Sequence, residues 1–248
     1  MIILEAGLNH FGKVKEAKEY LNFFLKSNFK KLTFQINTKE YYKKYPFKLP
    51  ISFYKYALKK TKQKGKKIGL AVCDHRTFDE YKNIKFDFYK LLSIGISNKV
   101  LIKDLIDKKK EVYISLGIGT DQKIKRCLKK FGNKCQTNLI YTSLSHNPGD
   151  LSLERINYLR KKFKKKIGYG HHYKNELPIL LSIYYKVSFF FIYIKKDNIK
   201  NSIKYPDDKH AFFFKDLSNL LNSMNEVSKI FKKKKLNTKI KINEKIDL

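Results

Sequence analysis

The chain has 248 residues, a length that suits one α/β barrel, and its 42% hydrophobic content supplies a large core and excludes a disordered chain. Its net charge is +33, yet all but four of its 55 basic residues are lysine. Arginine is the side chain suited to bidentate phosphate and base recognition, so its scarcity counts against a dedicated nucleic-acid binder.

Short β-rich runs alternate with amphipathic stretches along the whole chain. Ile2–Ala6 is the first predicted strand and Lys13–Lys26 the first helix, with Ala17, Leu21, Phe24 and Leu25 at i, i+4, i+7 and i+8. Strand Leu32–Ile36 is followed by helix Ile51–Lys64, Lys67–Val72 by Arg76–Asn83, and Phe86–Leu92 by Asn98–Lys108. Then come Glu111–Leu116 with Asp121–Phe131, Thr137–Thr142 with Leu151–Phe163, Lys166–Tyr169 with Glu176–Tyr185, and Val187–Ile194 with Phe214–Phe231. Pro178 falls in the first turn of its helix, where a missing N–H costs little. Eight such β–α units joined by right-handed crossovers close into a (β/α)8 TIM barrel over residues 1–231, with a lysine-rich tail at 232–248. An open doubly wound sheet loses its main support because no Gly-x-Gly-x-x-Gly follows the first strand.

The longest mainly apolar run, Val187 to Ile194, is far shorter than the roughly 20 residues of a membrane helix, so no membrane association is expected. Cys73, Cys127 and Cys135 lack metal-type spacing and read as reduced thiols in a cytoplasmic protein. The lysines are scattered, and lysine, isoleucine, asparagine, phenylalanine and tyrosine, all with A/T-rich codons, dominate together. That pattern points to compositional bias, although a positive field still helps to collect an anionic substrate.

Barrel chemistry sits where strands end and βα loops begin. Here those ends carry Glu5, Asn9 and His10; Gln35; Cys73-Asp74-His75; Lys90 and Ser93; Ser115; Thr142, Ser143, Ser145 and His146; and His171-His172. Lys90 lies inside an apolar run, where an unpaired lysine is costly. Acid, lysine, hydroxyl and imidazole groups on one rim point to an anionic small-molecule site. His210, beside Asp207 and Asp208, reads as a surface loop.

Several of these residues stand in a recognisable order. Ile3-Leu4-Glu5-Ala6-Gly7-Leu8-Asn9-His10-Phe11-Gly12 resembles the opening signature of the sialic acid (N-acetylneuraminate) synthase family. Thr33-Phe34-Gln35, Phe88-Tyr89-Lys90-Leu91-Leu92-Ser93, Ile114-Ser115-Leu116-Gly117, Pro148-Gly149-Asp150-Leu151-Ser152-Leu153, Ile167-Gly168-Tyr169-Gly170-His171-His172 and Asp207-Asp208-Lys209-His210-Ala211 resemble its later motifs, across roughly residues 1–220. The resemblance implies a transferase that condenses phosphoenolpyruvate with an N-acyl amino sugar of the N-acetylmannosamine type, forming a nonulosonic acid for surface carbohydrate. It implies Glu5 as acid/base; Gln35, Lys90, Ser93 and Ser115 on phosphoenolpyruvate; Asp208 on the sugar; and His172 on a divalent metal, Mn or Mg. A homodimer is compatible with it.

The departures are specific. Thr33 stands in place of a second lysine, Ala71 of a threonine, Gly95 of an acid, and Gly170-His171 of Ser-Asp. The eighth strand reads Phe190-Phe191-Ile192-Tyr193-Ile194 and lacks the family's second metal histidine; its usual C-terminal antifreeze-like domain has no counterpart here. Two alternatives therefore stay open: a non-enzymatic sugar-binding or partner subunit of the same fold, and, behind it, a nucleic-acid binder.

Overall fold

The computed structural model describes residues 1–197 and 203–231; the lysine-rich segment 232–248 lies outside the described residues. Eight parallel strands follow in chain order: β1 (Ile2–Gly7), β2 (Lys31–Gln35), β3 (Lys67–Val72), β4 (Phe88–Leu91), β5 (Glu111–Ser115), β6 (Thr137–Tyr141), β7 (Ile167–Gly170) and β8 (Phe190–Lys195). β1 also pairs with β8, Ile2 opposite Phe190 and Glu5 opposite Tyr193, so the sheet closes on itself. A short β9 (Phe212–Phe213) pairs with the end of β8. Around the sheet lie α1 (Val14–Lys26), α2 (Lys39–Lys44), α3 (Ile51–Lys62), α4 (His75–Asp79), α5 (Lys99–Asp107), α6 (Asp121–Phe131), α7 (Arg155–Phe163), α8 (Leu177–Tyr184) and α9 (Leu217–Ile230). This is the expected (β/α)8 TIM barrel. Among the described residues no helix is long and apolar enough to cross a membrane.

Local chemistry explains where several helices begin. The side chains of Asp74 and Asn98 each accept the N–H three residues on, from Thr77 and Leu101 at 3.0 Å, which satisfies a donor that the helix itself leaves free. The unforeseen α2 starts the same way, with Thr38 accepting from Tyr41 N at 3.1 Å. At six residues it is too short to display a helical period. α7 begins at Arg155, four residues later than expected, because the chain before it closes i→i−3 turns, Arg155 N to Ser152 O at 3.2 Å and Ile156 N to Leu153 O at 3.0 Å, while Ser152 N donates to the Tyr141 hydroxyl at 3.0 Å.

Strand alternation builds two apolar layers. Outward-facing Leu4, Leu32, Leu70, Leu91, Ile114 and Ile192 pack under the helices, while Ile3, Phe88, Tyr113, Ile140, Phe189 and Phe191 fill the barrel interior. The interior rings need space on their neighbours. A Cβ at Gly69 would land on the Phe88 ring, and one at Gly168 on the Phe189 ring.

The amino-terminal end of the interior is closed by a polar plug. Lys31 Nζ lies 2.6 Å from both Glu111 Oε2 and the Tyr113 hydroxyl, and Asn138 Nδ2 donates to Glu111 Oε1 at 2.8 Å. Lys31→Met alone should cost about 2–3 kcal/mol in urea unfolding, since it strands the carboxylate; the figure lies below the 3–5 of a fully buried pair because 23% of the Glu111 side chain stays exposed. Lys31→Met with Glu111→Leu should recover most of that loss.

Candidate functional site

At the opposite end of the same interior, period-two alternation lifts the next residue of each strand towards the rim. Above Ile3 stands Glu5, above Phe88 stands Lys90, above Tyr113 stands Ser115, and above Phe191 stands Tyr193. Lys90 Nζ meets both carboxylate oxygens of Glu5, at 2.7 and 2.6 Å. Both side chains are almost fully buried. Thr33 faces the same carboxylate, its hydroxyl 3.4 Å from Glu5 Oε1 and 3.2 Å from Leu4 O. The ammonium also lies 4.8 Å from the Phe191 ring centre and 5.4 Å from that of Tyr193, where the ring faces favour a cation. The buried lysine in β4 is thus paired rather than stranded.

The loop leaving β1 ties this layer to the segment after β8. Asn9 Nδ2 donates to Ile194 O at 2.9 Å, and its Oδ1 accepts Asp207 N at 3.0 Å. Gly7 has φ +54°, and a Cβ there would collide with Asp207 Oδ2 and press on the Tyr193 ring. Only a residue without a side chain lets the Asp207 carboxyl approach β1 this closely. Burial, then the nearby Glu5 charge, push Asp207 up to about 7 against the opposing effects of the Leu8 N–H and Lys90.

The expected site residues separate into those the fold gathers and those it does not. Glu5 and Lys90 are in contact; Ser115 ends β5 on the same interior face, and Ser93, also buried, opens the turn after β4. Gln35 ends β2 and is partly exposed. Asp208 turns the other way, with its carboxylate 2.9 Å and its carbonyl 2.8 Å from Lys195 Nζ, so the aspartate beside Glu5 is Asp207. Two neighbouring aspartates in a turn carry no periodicity from which this choice could be read.

His172 follows β7 and lies 4.4 Å, ring centre to ring centre, from His210, which in turn is 5.9 Å from His146. His210 therefore belongs to the rim, not to a surface loop; only 11% of its side chain is exposed. Ring nitrogens of His146, His171 and His210 are buried without hydrogen-bond partners. Burial holds His171 down to about 3 and His210 to about 4, and His172, crowded also by His210, well below the usual imidazole value. Neutral imidazoles with free nitrogens suit a divalent metal. They come as a close pair, since among the described residues no three His, Cys, Asp or Glu side chains already meet at one cation position.

A polar rim on a closed eight-stranded barrel is matched from an independent direction: the model of the NeuB family covers residues 4–235. The chain belongs to the NeuB family. Membership supports a sialic-acid-synthase-like role in sugar biosynthesis. No curated sequence matches this NeuB chain. Its fold is similar to that of N-acetylneuraminic acid (sialic acid) synthetase from Leptospira borgpetersenii, solved with citrate, at 22% identity and a TM-score of 0.83, covering 95% of this chain and 86% of that one. It is also similar to the spore coat polysaccharide biosynthesis protein spsE of Bacillus subtilis, at 18% identity and a TM-score of 0.77, with 92% and 68% coverage. A DAHP synthase of Thermotoga maritima shares the fold at 12% identity and a TM-score of 0.74, with 93% and 69% coverage.

The buried imidazoles set the acid limb of stability. His10, held at about 3 by burial, joins His171, His172 and His210, all with folded values below the ordinary 6.5. Each stabilises the fold fully above pH 6.5 and loses that contribution as pH falls, at about 1.4 kcal/mol per pH unit per group. Asp207, shifted upward, works in the opposite sense between 3.8 and about 7, one group against four. The urea midpoint should therefore drop between pH 7 and pH 5, and His10→Gln should flatten the drop.

Proposed function

We propose that this NeuB barrel condenses phosphoenolpyruvate with an N-acyl amino sugar of the N-acetylmannosamine type, yielding a nonulosonic acid and phosphate. The observation that carries the reading is the buried Glu5–Lys90 pair in the rim layer. An ammonium held in a water-poor interior is a strong anchor for an anion, and the hydroxyls of Ser93 and Ser115 and the Gln35 amide supply further donors. An arriving carboxylate or phosphate competes with Glu5 for Lys90. Glu5 is thereby released as a base whose charge is no longer neutralised.

The chemistry then divides between two carboxyl groups. The methylene carbon of phosphoenolpyruvate bonds to the sugar aldehyde carbon, and the aldehyde oxygen takes a proton to become a hydroxyl. Asp207 is protonated up to about pH 7 and gives that proton. Water adds at the cationic carbon beside the new bond and Glu5 accepts one of its protons; the C–O bond to phosphate then breaks as the ketone forms, and the remaining hydroxyl proton leaves with the phosphate. A divalent ion at His172 would supply Lewis-acid polarisation of the aldehyde.

A second reading keeps the fold without the turnover. Thr33 and Tyr193, both against Glu5, are uncharged, which leaves Lys90 as the cation of this layer that touches it. A sugar-binding subunit would need no more.

Phosphate release from phosphoenolpyruvate, N-acetylmannosamine and Mn²⁺ separates the two. We expect turnover that falls by about 10²–10⁴ in Glu5→Gln, and a raised KM for phosphoenolpyruvate in Lys90→Ala. Turnover that survives both substitutions together would overturn the site. Calorimetric sugar binding without turnover would establish the second reading.

A further inference from the structure

The rim holds more imidazole than the reaction above uses. His146 comes from the loop after β6, His172 from the end of β7, and His210 from the turn between β8 and β9. Buried imidazoles in a structural role are normally hydrogen-bonded through at least one nitrogen. His210 has both nitrogens buried and unpartnered, and His146 one. The nearest carboxylate oxygen to His210 Nε2, Asp207 Oδ1, is 3.8 Å away, beyond hydrogen-bond range.

The His210 backbone is nevertheless firmly placed. His210 N and Ala211 N both donate to Asp207 O, at 3.2 and 3.0 Å, and Asp207 N is clipped to Asn9. Lys195 holds the adjoining Asp208, and the Tyr205 hydroxyl donates to Lys196 O at 3.1 Å. The Tyr193 ring, 4.9 Å away at a right angle, walls one side of the imidazole. A turn tied down at this many points, ending in an imidazole with nothing to bond, has the form of a ligand held ready.

We propose that His172 and His210 together form a divalent transition-metal site, in which an imidazole from the turn after β8 does the work that no β8 side chain can do. β8 offers Phe191 and Tyr193 to the interior, and neither is a nitrogen donor. His146 lies farther from His210, at 5.9 Å between ring centres against 4.4 Å for His172. Imidazole donors favour Zn²⁺, Co²⁺ or Fe²⁺ over Mg²⁺, with Mn²⁺ between them, so the site should discriminate in that order. The inference rests on the rim described for the proposed reaction, but its test reads the metal directly.

Calorimetry of the full chain with Zn²⁺, Mn²⁺ and Mg²⁺ separately should give one site, tightest for Zn²⁺ and weakest for Mg²⁺. His172→Ala and His210→Ala should each weaken Zn²⁺ binding by about tenfold or more, while Cys135→Ala, just before β6 at the amino-terminal end of the barrel, leaves it unchanged. Electron spin-echo spectroscopy of the Mn²⁺ complex should count two coordinated imidazole nitrogens in the native chain and one in His210→Gln, a variant that keeps a polar side chain of similar size. Native affinity in a folded His210→Gln protein, or a Mn²⁺ complex with a single imidazole in the native chain, would overturn the assignment. A chain that binds Mn²⁺ through both rings but releases no phosphate would refute the reaction and leave the metal site standing.

Discussion

Closure of β1 onto β8 is the constraint from which the rest follows. Register there sets Glu5 opposite Tyr193, and the period-two alternation of parallel strands then determines which side chains share each interior layer. Three layers result: the Lys31–Glu111–Asn138 plug, a band of aromatic and aliphatic rings, and the Glu5–Lys90 pair at the rim. A slip of one residue on β8 would send Tyr193 outward and bring Ile192 against a buried charge. The apolar band thus does two jobs, supplying burial and lowering the local dielectric between two polar groups that would otherwise be hydrated.

Charge placement within the rim follows the same geometry. Lys90 and Glu5 neutralise one another, and Asp207, close to the pair but outside it, lowers its cost by keeping a proton. Asn9 joins the β1 exit to both Ile194 and Asp207, so a polar side chain on one loop sets the position of a carboxyl nearly two hundred residues away. The rim is consequently built from rigid strand ends on one side and an anchored return turn on the other. In this NeuB barrel the strands thus carry the ammonium and hydroxyl groups of the rim, and the turn carries acid and imidazole groups.

Much of this was legible in the residues alone. Eight β–α alternations, Glu5 at the end of the first strand and Lys90 inside an apolar run all announced a barrel with a polar rim, because periodicity and burial cost are properties of the sequence itself. The limits were equally physical. β8 was expected from Val187 but its paired strand begins at Phe190, since a run apolar on both faces has no alternation to mark its ends. Neither the selection of Asp207 over Asp208 nor the inward place of His210 could be read, because turn residues have no period. That Lys90 would pair with Glu5 is a matter of distance across the barrel, which only closure reveals.

The glycines at 69 and 168 have a bearing on descent. Each gives up its side chain to a neighbouring ring, Phe88 at the start of β4 and Phe189 just before β8 respectively. Neither member of such a couple can drift alone: a methyl group acquired first collides, and a ring lost first leaves a hole. Relatives of this chain should therefore change both partners or neither, and homologous barrels that carry a larger residue at the glycine position should show a correspondingly smaller one across the strand.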